Sequence, residues 1–348
     1  MSKFFKNKKI FITGHTGFKG IWLVSILNYL GAKIYGYSKN DKFKKNYKNL
    51  CSIKKGKDYF GDILNKKQLM KKLVKIKPDI VIHLAAQSLV KESFSNPEQT
   101  FKVNLIGTIN LLECCRYLPS VKSIVLATSD KCYENNNKKK YFLETDKLGG
   151  DDPYSASKAS CEILINSYIK SFFNDNKKGI ASVRAGNVIG GGDWSRNRII
   201  PDCARSILAK KKLYLRAQNS VRPWQHVLDV LNGYLLLSKK LYEAKNKNKY
   251  NGNYNFGPSQ RKFFNVKTLV KSFFNSINIE KKIMQTKSSF NKEKKIILLN
   301  SKKSFKKIHW KQKINFLKTV KLTATWYYNF IYKSKNDINK QILESKLF

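Results

Sequence analysis

Ile10-Phe11-Ile12-Thr13-Gly14-His15-Thr16-Gly17-Phe18-Lys19-Gly20 is a short apolar run that stops in glycines three residues apart. Beyond it, Gly20 to Leu30 carries apolar residues at helical spacing, so the segment reads as strand, turn, helix. One such glycine makes the tight turn, the next lets the backbone approach a pyrophosphate, and the last lets the helix pack closely on the sheet. The phosphates then sit at the helix N-terminus, where free N–H groups and the positive end of the dipole favour anions. Gly14, Thr16, Gly17, Phe18 and Gly20 are therefore expected to hold a dinucleotide.

Working outward, Lys33 to Tyr37 reads as a second strand, Gln68 to Ile76 as a helix ended by Pro78, and Asp79 to Leu84 as a buried strand. Pro97 to Tyr117 reads as a long helix, Lys122 to Ala127 as a strand, Tyr154 to Phe173 as a helix and Ile180 to Arg184 as a strand. Alternation of this kind predicts an α/β fold, with a parallel sheet covered by helices on both faces. Past Gly190-Gly191-Gly192 the alternation is less regular. The chain is expected to divide into a dinucleotide-binding domain with the catalytic residues over 1–187, a smaller and mainly substrate-binding region over 188–335, and a frayed tail over 336–348. Asn246 to Asn255 reads as a polar loop.

The chain has 348 residues, 42% of them hydrophobic and 13% aromatic, enough apolar surface for a folded core. Its formal charge of +46 would suit a polyanion partner, but only eight of the 69 basic residues are arginine. Arg, not Lys, reads phosphates and bases as a planar fork, so a solvated lysine surface is expected and not a nucleic-acid interface. A nucleic-acid-binding protein on a degenerate scaffold is the alternative from a different class. The six cysteines include no CxxC pair and no Cys/His cluster at metal spacing, so they are expected to be reduced packing residues and no metal is expected. No apolar run approaches the roughly 20 residues that span a bilayer, so no membrane partner and a cytoplasmic location are expected.

Tyr154-Ser155-Ala156-Ser157-Lys158 places a tyrosine and a lysine on one face of a helix. The ammonium can stabilise a phenolate and yield a base for a hydroxyl proton. Ser129, about two dozen residues earlier at a strand end, can supply a third hydroxyl. Together with the GxxGxxG spacing, this set resembles the short-chain dehydrogenase/reductase superfamily, whose fold is a Rossmann-like doubly wound parallel sheet. His83-Leu84-Ala85-Ala86-Gln87 and Asn104-Leu105-Ile106-Gly107-Thr108 are similar to signatures of its extended branch, which acts mostly on nucleotide sugars. His83 itself is expected to be structural.

Thr128-Ser129-Asp130-Lys131-Cys132-Tyr133 narrows the resemblance, because sugar 4,6-dehydratases carry an acid and a second ionisable residue after the Ser/Thr. With Gly14 to Gly20 followed by Trp22-Leu23, Arg184 to Trp194, and Arg222-Pro223-Trp224-Gln225-His226, the pattern looks like the CDP-glucose 4,6-dehydratase family over roughly residues 5 to 330. That resemblance implies a redox-neutral dehydration of CDP-glucose, with Ser129, Asp130, Lys131, Tyr154 and Lys158 catalytic. It also implies NAD held by the glycine turn, by Asp62 and Ile63, by Leu84, Ala85 and Ala86, and by Asn104, Tyr154 and Lys158. The substrate would meet Gln87, Asn187, Arg198, Arg222, Trp224 and His226. Another sugar-nucleotide dehydratase or an epimerase of the same superfamily is the nearest alternative. Tyr37-Ser38-Lys39-Asn40-Asp41 has no acid immediately at the second strand's end, and Lys39 leaves NADP open. A homodimer is implied through the helices 97–117 and 154–173, with Val103, Ile106, Leu111, Ile163 and Ile169 as candidate interface residues.

Overall fold

The computed structural model describes residues 1–40, 43–137, 140–258, 263–285 and 294–348. Seven parallel strands form its main sheet: β1 (Lys9–Thr13), β2 (Lys33–Ser38), β3 (Gly56–Phe60), β4 (Ile80–His83), β5 (Ser123–Ala127), β6 (Gly179–Ala185) and β7 (Gly252–Phe256). Their spatial order is β7-β6-β5-β4-β1-β2-β3. Strands after β1 build outward on one side and strands after β4 on the other, so the order reverses between β1 and β4. A crevice opens at the carboxyl ends of strands at such a point, and ligands of doubly wound sheets bind there.

The helices follow from the apolar spacing. α1 (Phe18–Tyr29) is buried almost throughout its middle, from Gly20 to Leu27, because it lies between the sheet and later elements. Trp22 is fully buried, and its Nε1 donates to the Gly191 carbonyl at 2.9 Å. α2 (Lys66–Ile76) shows Leu69, Leu73 and Ile76 to the core and is capped by Asn65, whose side chain accepts from Gln68 N. The long helix expected from Pro97 is α3 (Pro97–Phe101), a π turn (Lys102–Ile106) and α4 (Gly107–Arg116), and Asn104 lies in the π turn. α5 (Pro153–Phe172) starts at Asp152, which caps Ser155 N.

Beyond residue 188 two expectations fail. Asn246 to Asn255 is not all loop: Gly252–Phe256 is edge strand β7, parallel to β6 with Tyr254 opposite Val183 and Phe256 opposite Ala185. Its alternate residues Tyr254 and Phe256 are fully buried, whereas Asn253 and Asn255 are satisfied by polar groups beneath the sheet. The dinucleotide fold therefore takes a strand from the part assigned to substrate. The tail is not frayed either. α9 (Ile338–Ser345) follows α6 (Ile199–Leu208), α7 (Val227–Glu243) and α8 (Phe316–Lys333), and buries Ile338 and Ile342 against α1. Leu347 is buried as well, and its carbonyl accepts from Asn232 Nδ2 at 2.8 Å. Burial of these apolar side chains is the force that docks the terminus. All six cysteines are unpaired, and all but Cys51 are buried. No helix among the described residues is long and apolar enough to cross a membrane.

Candidate active site

A cleft of about 500 Å³ runs over the carboxyl ends of the strands. One wall is the glycine turn. Gly14 has a positive φ of 74°, and a Cβ there would stand 2.6 Å from Ala85 N; at Gly20 it would stand 2.4 Å from the Gly14 carbonyl oxygen. Both positions thus exclude any side chain, since backbone cannot give way. Gly17 is the N-cap of α1 and no side chain caps that end, so the first turn faces the cleft with its N–H groups uncovered by side chains.

His15 braces this turn from behind. It is fully buried, with Nδ1 2.9 Å from Ser38 Oγ and Nε2 3.1 Å from Asp58 Oδ1. Tyr47 donates to the same Asp58 oxygen at 2.8 Å. Gly36 exists to admit the imidazole: a Cβ there would lie 2.5 Å from the ring. His83 is a second brace, between Thr13 Oγ1 at 2.6 Å and Thr108 Oγ1 at 3.2 Å. Burial, with the nearby Lys158 charge, pushes its pKa down to about 3, so the ring is neutral and structural, as expected. Nothing in the sequence reading picked out His15, Gly36 and Asp58, because their partnership spans three strands.

Farther along, Asp62 and Ile63 line the cleft beside Leu84, Ala85 and Ala86. Lys39 Nζ is 3.0 Å from Asp62 Oδ2, and Asp62 Oδ1 accepts from Leu64 N at 2.9 Å. The lysine at the second strand's end is thus engaged by the carboxylate; Asp41, in the same stretch, lies outside the described residues.

On the opposite wall, Ser129, Asp130, Lys131, Tyr154 and Lys158 converge on the cleft. Ser129 Oγ donates to Asp130 Oδ1 at 3.1 Å and accepts from Lys131 N at 3.2 Å. Asp130 is buried, and desolvation raises its carboxyl pKa even though Lys131, the Ser129 bond, Arg222 and Lys19 all oppose that shift. Lys158 Nζ donates to the Ala127 carbonyl at 3.3 Å, and burial lowers its pKa. The Tyr154 phenol is pushed up to about 12 by burial, with a Ser129 hydrogen bond opposing. Asp130 adds to that rise and Arg198 opposes it, whereas the lowering expected from Lys158 is not among the effects acting on the phenol. Lys19, which sequence reading left in the turn, also lines this part of the cleft. Its pKa is lowered to about 8 by burial first and then by the charges of Arg198 and Lys158, with Asp130 opposing.

At the sequence level, residues 11–323 match the family model for GDP-mannose 4,6-dehydratase. A CDP-glucose 4,6-dehydratase of Salmonella typhimurium is 40% identical over 264 residues, which are 73% of this chain and 72% of that one. The chain belongs to this dehydratase family. A dTDP-D-glucose 4,6-dehydratase of Dictyostelium discoideum is 32% identical over 67% of the chain and 56% of its own length. Among solved structures, a dTDP-glucose 4,6-dehydratase of Bacillus anthracis in complex with NAD superposes with a TM-score of 0.77 at 23% identity, covering 93% of this chain and 98% of that one. A UDP-glucose 4-epimerase of Thermotoga maritima reaches 0.81 at 21% identity, over 93% and 99%. These likenesses show the Rossmann-like α/β fold.

Within this dehydratase-family cleft the substrate-side residues divide. Asn187, Arg198, Arg222 and Trp224 line it. Arg198 is held by Asp193 Oδ2 at 3.1 Å and Ser88 Oγ at 3.0 Å, and Trp224 Nε1 donates to the Phe264 carbonyl at 2.9 Å. Three expected contacts do not reach the cleft. His226 is fully buried, edge-on to Trp22, with Nδ1 accepting from Leu228 N to cap α7. Gln87 turns inward, bonding Leu89 and Thr100, and its backbone is gripped at both N and O by the Asn104 side chain. Asn104 is itself buried and also donates to Ser157 Oγ at 2.8 Å, so it shapes the loop after β4 and lies outside the cleft lining. The two residues sit in motifs whose names suggest ligand contact, while their chemistry is loop bracing. Trp194, partly buried, packs edge-on against the core residue Tyr327.

Proposed function

We propose that this chain converts CDP-glucose to CDP-4-keto-6-deoxyglucose and water. The observation that carries the reading is the convergence of Ser129, Asp130, Lys131, Tyr154 and Lys158 on one cleft, together with the 40% identity to the Salmonella enzyme. The cleft fits NAD: the side-chain-free floor at Gly14 and Gly20 and the open first turn of α1 suit a pyrophosphate, and Ala85 and Ala86 leave room for a ribose. Asp62, engaged with Lys39, is the acidic group on the adenosine side and supports NAD over NADP. Held there, NAD would supply a hydride acceptor for carbon 4 of the sugar and, once reduced, a hydride donor for carbon 6.

The remaining work belongs to the side chains. Tyr154, hydrogen-bonded to Ser129 and one helical turn before Lys158, takes the proton of the 4-hydroxyl as its phenolate. The resulting 4-ketone acidifies the hydrogen on carbon 5, and Lys131, acting as its neutral amine, takes that proton to become the ammonium. Asp130, whose carboxyl pKa is raised by burial, is the acid that donates to the hydroxyl departing from carbon 6. Arg222 meets the substrate pyrophosphate and Trp224 stacks on the cytosine. The enzyme pairs as a homodimer through the π turn that leads into α4 and through α5, where Ile106 is 43% and Ile163 62% exposed; Leu111, a third candidate, is fully buried in the core and has no part in that surface. A panel of CDP-, dTDP-, UDP- and GDP-linked hexoses tests the substrate: only CDP-glucose should give a 4-keto-6-deoxy product. Turnover of another member of the panel in its place would reassign the specificity.

A further inference from the structure

The segment that carries Ser129, Asp130 and Lys131 is clamped at both ends by one buried ion pair. Glu162 follows Tyr154 and Lys158 at four-residue steps on α5, so the three side chains share a face of the helix. Its Oε2 is 2.7 Å from Arg184 Nη2 on β6, with side-chain exposures of 0% and 1%. Just before Ser129, Thr128 donates its hydroxyl to Glu162 Oε1. Just after Lys131 and Cys132, the Tyr133 hydroxyl accepts from Arg184 Nη1 at 2.8 Å and donates to Asn255 Oδ1 at 2.7 Å, with the guanidinium 4.9 Å from its ring. Ser182 and Asn253 complete the shell, donating to Glu162 Oε2 at 2.8 and 2.6 Å.

Buried ion pairs add little net stability over well-packed apolar residues, because desolvation offsets the Coulombic gain. What this pair supplies is placement. We propose that the Glu162–Arg184 pair is a positioning element for the reaction, holding residues 129–131 in register with Tyr154 and Lys158; this rests on the functional reading above. Neither residue lines the cleft.

Thr128→Val tests it, since the change removes the hydroxyl at nearly constant volume and leaves the ion pair intact. Formation of reduced nicotinamide in a single turnover with CDP-glucose should slow by about 10- to 100-fold, the scale of a misplacement near 1 Å. KM and cofactor affinity should stay near wild type, because Thr128 lines the cleft but valine keeps its volume there. Thr128→Ser should recover most of the rate. Should the valine variant not fold, Thr128→Ala, which leaves space for a water, runs the same comparison with serine. A valine or alanine variant within a few-fold of wild type would overturn the proposal, as would a serine variant equally slow. Wild-type protein that forms no reduced nicotinamide and no product would instead sink the functional reading, and this inference with it.

Discussion

Along the glycine wall of the cleft, placement is by backbone contact: Gly14 against Ala85 and Gly20 against Gly14 leave no room for one extra carbon. Across the cleft, Ser129 to Lys131 are placed by polar side chains, with Thr128 and Tyr133 tied to Glu162 and Arg184 and, through Tyr133, to Asn255 at a separation of 122 residues. The first wall carries its glycines in one short stretch, meets Ala85 from beyond β4, and is intolerant of volume. The second is non-local and intolerant of losing a partner. Substitutions that separate volume from partnership should therefore affect the walls in opposite ways.

The largest effect expected is on the polar wall. Tyr154→Phe keeps volume and removes the group that accepts the hydroxyl proton, so turnover should fall by roughly 10²–10⁴-fold, with the melting temperature little changed. Assay of product, with calorimetry alongside, checks both halves of that statement. Arg184→Met leaves Glu162 buried without its cation, and removal of one partner of such a pair costs about 3–5 kcal/mol. A denaturant midpoint close to wild type would show that the pair is dispensable for the second wall.

Steric change should act on the first wall. Gly20→Ala sets a methyl 2.4 Å from a carbonyl oxygen and should cost about 1–3 kcal/mol together with loss of cofactor binding. Gly17→Ala is the control: its Cβ would be 3.4 Å from the nearest atom and its φ is −75°, so the loss should stay within about 1 kcal/mol. Equal losses at the two glycines would show that space for a side chain is not what limits this wall.

The most gradual effect, spread over several pH units, concerns two of the three buried histidines. Burial lowers the pKa of both His83 and His226 to about 3, so the unfolded chain binds more protons below its ordinary histidine value of 6.5. Stability should then rise with pH from about 3 to 6.5 and fall on acidification, by at most about 1.4 kcal/mol per pH unit for each histidine. His226→Gln should flatten that slope in thermal melts between pH 4 and 6.5 without an inflection in turnover near 6.5, because neither ring lines the cleft.

The contrast between the walls also sets what the residues disclosed before any coordinates. Gly14 to Gly20, strands β1, β2, β4, β5 and β6 and the Tyr154/Lys158 pair are local patterns, and each appears where spacing put it, whereas edge strand β3, with Lys57 and Asp58 among its residues, was not read as a strand. Edge strand β7 was hidden because Asn253 and Asn255 look like loop residues until Glu162, Ser182 and Phe142 are brought beneath them. The docking of α9 was hidden for a similar reason: Ile338, Ile342 and Leu347 form a stripe too short to stand out from a lysine-rich tail. Gln87, Asn104 and His226 were given ligand roles because a motif shows which residues recur together but not which way a side chain turns.

The most direct test of the central claim is an isotope transfer. CDP-glucose deuterated at carbon 4, incubated with the enzyme in unlabelled water, should give 4-keto-6-deoxy product carrying that deuterium at carbon 6 of the same molecule, because the hydride leaves and returns within one cleft. Product with an unlabelled carbon 6 would contradict the account.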